Sequence, residues 1–132
     1  MKVFVDTSAF LALLDAHEQN HANARRIWTQ LVQDKAILTC TNYVLLETIA
    51  LAQNRLGLSV LRAFQDNIVP YLDIVWVDRD IHHAGIVAVL AADRRKLSLV
   101  DCTSFAVMRQ MGIDTTFAFD QHFIEQGFTC LT

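Results

Sequence analysis

The sequence predicts an α/β fold built on a mostly parallel sheet with helices covering both faces. Three observations carry that prediction. Short apolar runs of strand length alternate with longer segments whose apolar residues recur at helical spacing. Only 4 Gly and 1 Pro serve the turns of 132 residues, too few for a β-sandwich of tight hairpins. An apolar content of 53% against 19% charged residues supplies a core and excludes global disorder. One domain over residues 1–132 is expected, because no repeat, low-complexity tract or linker interrupts the pattern.

Taken in order, Lys2–Val5 reads as a short buried strand, and the Thr7-Ser8 pair after Asp6 can cap a helix carrying Phe10, Leu11, Leu13 and Leu14. A polar stretch from Asp15 to Asn23 leads into a helix with Ala24, Ile27, Trp28, Leu31 and Val32 on one face. Ala36–Thr39 is a second strand. The third helix runs through Val44, Leu45, Leu46, Ile49, Leu51 and Ala52 to a stop near Arg55–Gly57. Ser59 can cap a fourth helix that Pro70 stops before a third strand, Leu72–Val77. Asp78 caps the next helix, which ends in the Asp93-Arg94-Arg95-Lys96 turn. Ser98 and Asp101 have the spacing of a capping box ahead of a helix that Gly112 ends. Thr115–Phe119, Gln121–Gln126 and Phe128–Leu131 read as strand, short helix and strand.

Several classes of function are excluded at once. The longest apolar run, Gly85 to Ala92, is far below the ~20 residues of a membrane span, and three apolar residues after Lys2 are too few for a secretory signal. Cys40, Cys102 and Cys130 are odd in number and embedded in apolar segments, so buried free thiols in a reducing compartment, the cytoplasm, are expected. The apolar content is high for so short a chain and predicts a self-association surface, hence a homodimer. A net charge of −3 counts against a nucleic-acid binder at first sight.

Ligands of open parallel sheets gather at the carboxyl ends of the strands. That rule selects Asp6, directly after Val3-Phe4-Val5, and Asp120, directly after Thr116-Phe117-Ala118-Phe119. A carboxylate so close to the core needs a positive partner, hydrogen bonds or a metal. Glu47 lies in the nearly continuous apolar segment Tyr43–Leu51, and Asp101 opens a helix. Each has an ordinary alternative taken alone: helix capping for the aspartates, a solvent-facing or Arg55- or Arg62-paired position for Glu47. Taken together, four carboxylates at strand ends, a helix start and an apolar helix face point to one oxygen-rich site. Such sites suit Mg²⁺ or Mn²⁺, and the associated chemistry is phosphodiester hydrolysis.

The segments Phe4-Val5-Asp6-Thr7-Ser8-Ala9, the mid-helix Glu47, Ser98-Leu99-Val100-Asp101-Cys102-Thr103-Ser104-Phe105 and Phe117-Ala118-Phe119-Asp120-Gln121-His122-Phe123 resemble the ordered acidic motifs of the PIN domain. Within that family the resemblance is to the VapC-type ribonucleases, and it runs from Val3 to about Phe128. It implies a three-layer α/β/α sandwich and a Mg²⁺- or Mn²⁺-dependent endoribonuclease that leaves a 5′-phosphate and a 3′-hydroxyl. By position Asp6, Glu47, Asp101 and Asp120 match the acidic quartet, as metal ligands and catalytic groups, while Thr7 and Thr103 match hydroxyls that orient ligands or water, or else cap their helices. Many relatives are dimeric toxins held inactive by an antitoxin protein, which makes an RNA substrate and an antitoxin the implied partners. One bound divalent ion would bring the charge of −3 to −1 and two would bring it to +1, so the charge objection weakens. Arg94, Arg95, Lys96, Arg25, Arg26, Arg55 and Arg62 add positive charge that could guide phosphates.

Competing readings stand beside this one. His17-Glu18-Gln19-Asn20-His21 spells the H-E-x-x-H pattern of zinc peptidases, yet it sits in a polar connection rather than a supported helix. His82 and His83 are adjacent, about 100° apart on a helix, and form no ligand pair. Covalent phosphoryl chemistry at Asp6 would need a second aspartate at position 8, where the chain has Ser8. A non-catalytic PIN-like module that grips RNA or protein is the remaining alternative, although binding alone gives no reason to gather four like charges.

Overall fold

The computed structural model describes residues 1–132. Five parallel strands, β1 (Lys2–Val5), β2 (Ile37–Thr41), β3 (Leu72–Val75), β4 (Thr115–Phe117) and β5 (Thr129–Cys130), form one sheet in the order β3-β2-β1-β4-β5. Seven α-helices flank it: α1 (Thr7–Leu14), α2 (His21–Gln33), α3 (Asn42–Leu56), α4 (Leu58–Asn67), α5 (Arg79–Ala92), α6 (Leu99–Met111) and α7 (Gln121–Glu125). The expected α/β/α architecture is therefore the observed one.

The register fixes where the site lies. Val5 stands beside Phe117, Phe4 beside Thr116 and Val3 beside Leu38, so β1 is the central strand and is covered on both faces. Val3, Phe4 and Val5 are accordingly fully buried, which is why this strand reads as a continuous apolar run. From β1 the chain winds first toward β2 and β3, then crosses back to β4 and β5. The strand order thus reverses between β1 and β4, and a crevice opens there at the carboxyl ends.

Below the crevice the core is aromatic. Phe123 meets Phe4, Phe105 and Phe128 at centroid distances of 6.5, 5.0 and 6.3 Å, and Phe10 meets Phe64 edge to face at 5.2 Å. At the α5–α6 contact, a Cβ on Gly85 would come within 2.6 Å of Thr103 Cγ2, so only glycine permits this approach.

Three strands are shorter than the sequence suggests, two because a side chain captures the backbone and one because a helix turn does. Val77 N–H donates to Asn42 Oδ1 at 2.6 Å, so β3 ends at Val75. Phe119 N–H donates to Ser8 Oγ at 2.9 Å, so β4 ends at Phe117. Phe128 N–H closes the α7 turn on Phe123 O at 3.1 Å, leaving β5 only Thr129–Cys130. Conversely, β2 begins one residue late, because Ala36 N–H closes α2 on Leu31 O, and it pairs with β3 as far as Thr41.

Two caps also differ from expectation. Asp6, not Thr7 or Ser8, caps α1, and Gly57, not Ser59, precedes α4, which begins at Leu58 with no side-chain cap. The expected caps at Asp78 and Ser98 are present. No helix is long and apolar enough to cross a membrane. All three cysteines are free, with Cys40 and Cys102 buried and Cys130 half-buried. Burial and the nearby Asp73 push the Cys40 thiol up to about 12, so it is inert at neutral pH.

Candidate metal centre and active site

Four elements converge on the crevice. Asp6 follows β1, Asp120 stands three residues beyond β4, Asp101 lies in the first turn of α6, and Glu47 projects from the middle of α3. The three aspartates share one local device. Asp6 Oδ2 accepts from Ser8 N–H at 3.1 Å and from Ser8 Oγ–H at 2.7 Å. Asp101 Oδ2 accepts from Ser98 N–H at 3.1 Å, completing a capping box in which Ser98 Oγ accepts from Asp101 N–H. Asp120 Oδ1 accepts from His122 N–H at 2.9 Å. Each aspartate therefore caps a helix with one oxygen and leaves the other without a hydrogen bond. Capping and site formation are two halves of one carboxylate, not rival explanations.

The electrostatics show how closely the acids gather. Asp6 is only 3% exposed, and burial raises its carboxyl to about 7; the charges of Asp101 and Asp120 push the same way, against the two Ser8 hydrogen bonds. Glu47 is half-buried and also lies above the usual carboxylate range, first through burial, then through Asp101 and Asp120, with the Thr7 hydroxyl opposing. Asp101 is raised by burial and by Asp120, against its Ser98 bonds and the nearby His122. No arginine or lysine pairs with any of the four, so neither Arg55 nor Arg62 neutralises Glu47. A partly buried cluster of like charges with no arginine or lysine partner is the electrostatic profile of a hard-cation site.

One site residue carries no role in the sequence reading. His122 Nδ1 lies 2.9 Å from Asp120 Oδ1 and 3.8 Å from Asp101 Oδ2, is buried, and makes no well-aligned hydrogen bond. Ligand atoms of Asp101, Asp120 and His122 all fall within 4.8 Å of one another, close enough to hold one ion. Its position two residues after Asp120, in the first turn of α7, is the only signal the sequence offers.

The hydroxyls separate. Thr7 Oγ1 donates to Val44 O at 3.4 Å and accepts from Thr48 Oγ1 at 3.2 Å, which ties α1 to the helix that carries Glu47. Thr103 Oγ1 instead lies 2.9 Å from both Leu99 O and Val100 O of its own helix, and its methyl group faces Gly85. The structure thus brings Thr7 to the crevice and places Thr103 in the α5–α6 contact.

The zinc-peptidase pattern does not assemble. His17 lies in a turn outside any helix, and His21 Nδ1 is 2.7 Å from Ala12 O. Of the basic residues, Arg94 is paired with Glu125 at 2.8 Å, whereas Arg55 lines a cavity beside the crevice.

Acids at the switch point of a five-stranded parallel sheet in this strand order define the class, and the chain belongs to the PIN domain family, whose pattern matches residues 3–128. It is 34% identical over 127 residues to the 23S rRNA-specific endonuclease VapC20 of two strains of Mycobacterium tuberculosis, covering 96% of this chain and 95% of VapC20. The crystal structure of Mycobacterium tuberculosis VapC20, described as a sarcin–ricin loop cleaving toxin, superimposes with a TM-score of 0.85 over 96% of each chain at 33% identity. FitAcB from Neisseria gonorrhoeae shares the fold, with a TM-score of 0.68 at 16% identity over 100% of this chain and 97% of that one.

Proposed function

We propose that the chain is a Mg²⁺- or Mn²⁺-dependent endoribonuclease and the toxin member of a toxin–antitoxin pair, acting in the cytoplasm. The observation that carries this reading is the set of four carboxylates at the strand-order reversal with no arginine or lysine partner, three of them fixed by caps that leave an oxygen free. The activity in the VapC20 name supports it, over nearly the full length of both chains.

In this reading Asp6, Asp101 and Asp120 would hold one or two divalent ions, and Glu47 would complete the shell or orient the attacking water. A divalent ion bound there would supply an acidified water and stabilise the charge on the departing oxygen. Water oxygen bonds to phosphorus, the bond from phosphorus to the 3′-oxygen breaks, and the products are a 5′-phosphate and a 3′-hydroxyl. Ser8 and Ser98 keep the aspartate oxygens aimed before substrate arrives, so little reorganisation is needed. Thr7 holds α3, and with it Glu47, against α1. Thr103 acts only by fixing the first turns of α6, where Asp101 stands. Leu46, Trp76 and Leu90 are 69%, 71% and 73% exposed, apolar surface that an antitoxin or a second copy in a homodimer would cover.

The deciding experiment is a Mn²⁺ titration followed by water-proton relaxation, paired with cleavage of ribosomal RNA. The wild type should bind saturably and cut. Asp101→Asn should fold but lose cleavage on the order of 1,000-fold, since metal stabilisation of a phosphoryl transition state is worth several kcal/mol. A His17→Ala/His21→Ala variant should bind as the wild type does. Binding indifferent to Asp101 would favour the non-catalytic module.

A further inference from the structure

Beside the crevice lies a cavity of about 300 Å³ lined by Ser8, Asp15, Glu18, Asn20, Arg55 and Phe119 among others. It shares a wall with the acidic site. Ser8 Oγ donates to Asp6 Oδ2 and accepts from Phe119 N–H, so one hydroxyl joins the aspartate to the aromatic residue of the cavity. A strand of RNA whose phosphate lies at Asp6 therefore passes the mouth of this cavity with its neighbouring nucleotide.

The lining is suited to a base and not to a phosphate, because Asp15 and Glu18 outnumber Arg55. Single-stranded RNA is read by splaying bases out, seating them against aromatic side chains and hydrogen-bonding their edges. Phe119 supplies the aromatic surface. The polar edge is supplied by two charges without partners: neither Glu18 nor Arg55 forms an ion pair or a side-chain hydrogen bond, with each other or with any residue. Asp15, by contrast, already accepts from His17 N–H at 2.9 Å.

The geometry points to a guanine-reading subsite for the nucleotide beside the scissile phosphate, an inference that rests on the nuclease reading. Guanine alone among the four bases offers adjacent donors, N1–H and the N2 amine, to a carboxylate, and adjacent acceptors, O6 and N7, to a guanidinium. Glu18 takes the donor edge and Arg55 the acceptor edge. The segment His17–His21, which forms no metal site, thereby acquires a role as one wall of a base pocket.

The test needs no catalysis. ¹⁵N-labelled protein in EDTA is titrated with the ribotrinucleotides ApGpA, ApApA, ApCpA and ApUpA while amide shifts are recorded. ApGpA should shift Ser8, Gln19, Asn20 and Phe119 saturably and bind at least tenfold more tightly than the other three. Inosine in the central position, which lacks the N2 amine, should weaken binding severalfold. Glu18→Gln and Arg55→Gln should each erase the preference for guanine, while Asp73→Asn on edge strand β3, which changes the net charge as Glu18→Gln does, should keep it. Equal affinity for the four trinucleotides, or shifts confined to other residues, overturns the subsite. These outcomes are separable from the nuclease reading: protein that selects ApGpA but binds Mn²⁺ without regard to Asp101 keeps the subsite and loses the metal centre.

Discussion

Val5 and Asp6 are consecutive, equally deep in the molecule, and opposite in what their burial does. Below Val5 lies the aromatic core around Phe123, where removal from water is the main source of stability. Above it lie Asp6, Asp101, Asp120 and Glu47, where removal from water is a cost that three caps only partly offset. The difference separates what folds the chain from what it folds for. A fold under selection for stability alone would not place four acids over its central strand, so the upper region is best understood as the product of function.

The sharpest way to weigh the lower region is Phe123→Ala. Its ring touches three other phenylalanines and is fully buried, so little nearby can collapse into the space. A loss of about 3–5 kcal/mol in denaturant unfolding is expected. A loss below about 1 kcal/mol would mean that the aromatic cluster repacks freely and that the contrast with the upper region is overstated.

The upper region should behave in the reverse sense. Folded Asp6 holds its proton to about 7, whereas the unfolded residue releases it near 3.8. The folded state therefore binds more protons between those values, and the metal-free protein should lose stability as pH rises from about 4 to about 7, then level off. Asp6→Asn keeps an acceptor for Ser8 but removes the charge. It should flatten most of that slope and, at pH 8 in EDTA, make the protein more stable by up to about 4 kcal/mol. Glu47 and Asp101, raised by the same causes, account for the slope that remains. Denaturant midpoints across this range decide the matter: an unchanged slope in the variant would remove Asp6 from the buried acidic group.

How far the chain was legible follows the same division. Val3-Phe4-Val5 announces a central strand, and Ser98 with Asp101 announces a helix start, because both signals are local and both are realised. The approach of Asp6 to Asp120 spans 113 intervening residues, and the carboxyl-end rule for parallel sheets brings the two together with the resemblance of the ordered motifs in support. Strands β3 and β4 end before their apolar runs do because a side chain distant in sequence takes the backbone, as Ser8 does from Phe119 and Asn42 from Val77. His122 escaped for a related reason. A histidine in a short helix is ordinary until its Nδ1 is found between two aspartates. The Ser98–Asp101 box also hid a double use, since one oxygen satisfies the helix while the other stays available.

The two regions meet at the α5–α6 contact, where Gly85→Ala gives the smallest but most informative effect. The new methyl would sit 2.6 Å from Thr103 Cγ2 and 3.0 Å from Leu99 Cδ1, inside contact distance of both. Thr103 cannot swing away without giving up its bonds to Leu99 O and Val100 O, so α6 itself must move. Overpacking of this kind costs about 1–3 kcal/mol, and the better helix propensity of alanine returns up to about 1 kcal/mol, for a net loss near 1 kcal/mol. Asp101 rides on the same turn as Leu99, so a shift of α6 also changes its separation from Asp120 and His122. Mn²⁺ affinity should fall severalfold in a protein that still unfolds in one cooperative step. Unchanged affinity with the expected loss of stability would mean that the caps at Ser98 and Asp120 hold the acids independently of the packing beneath them.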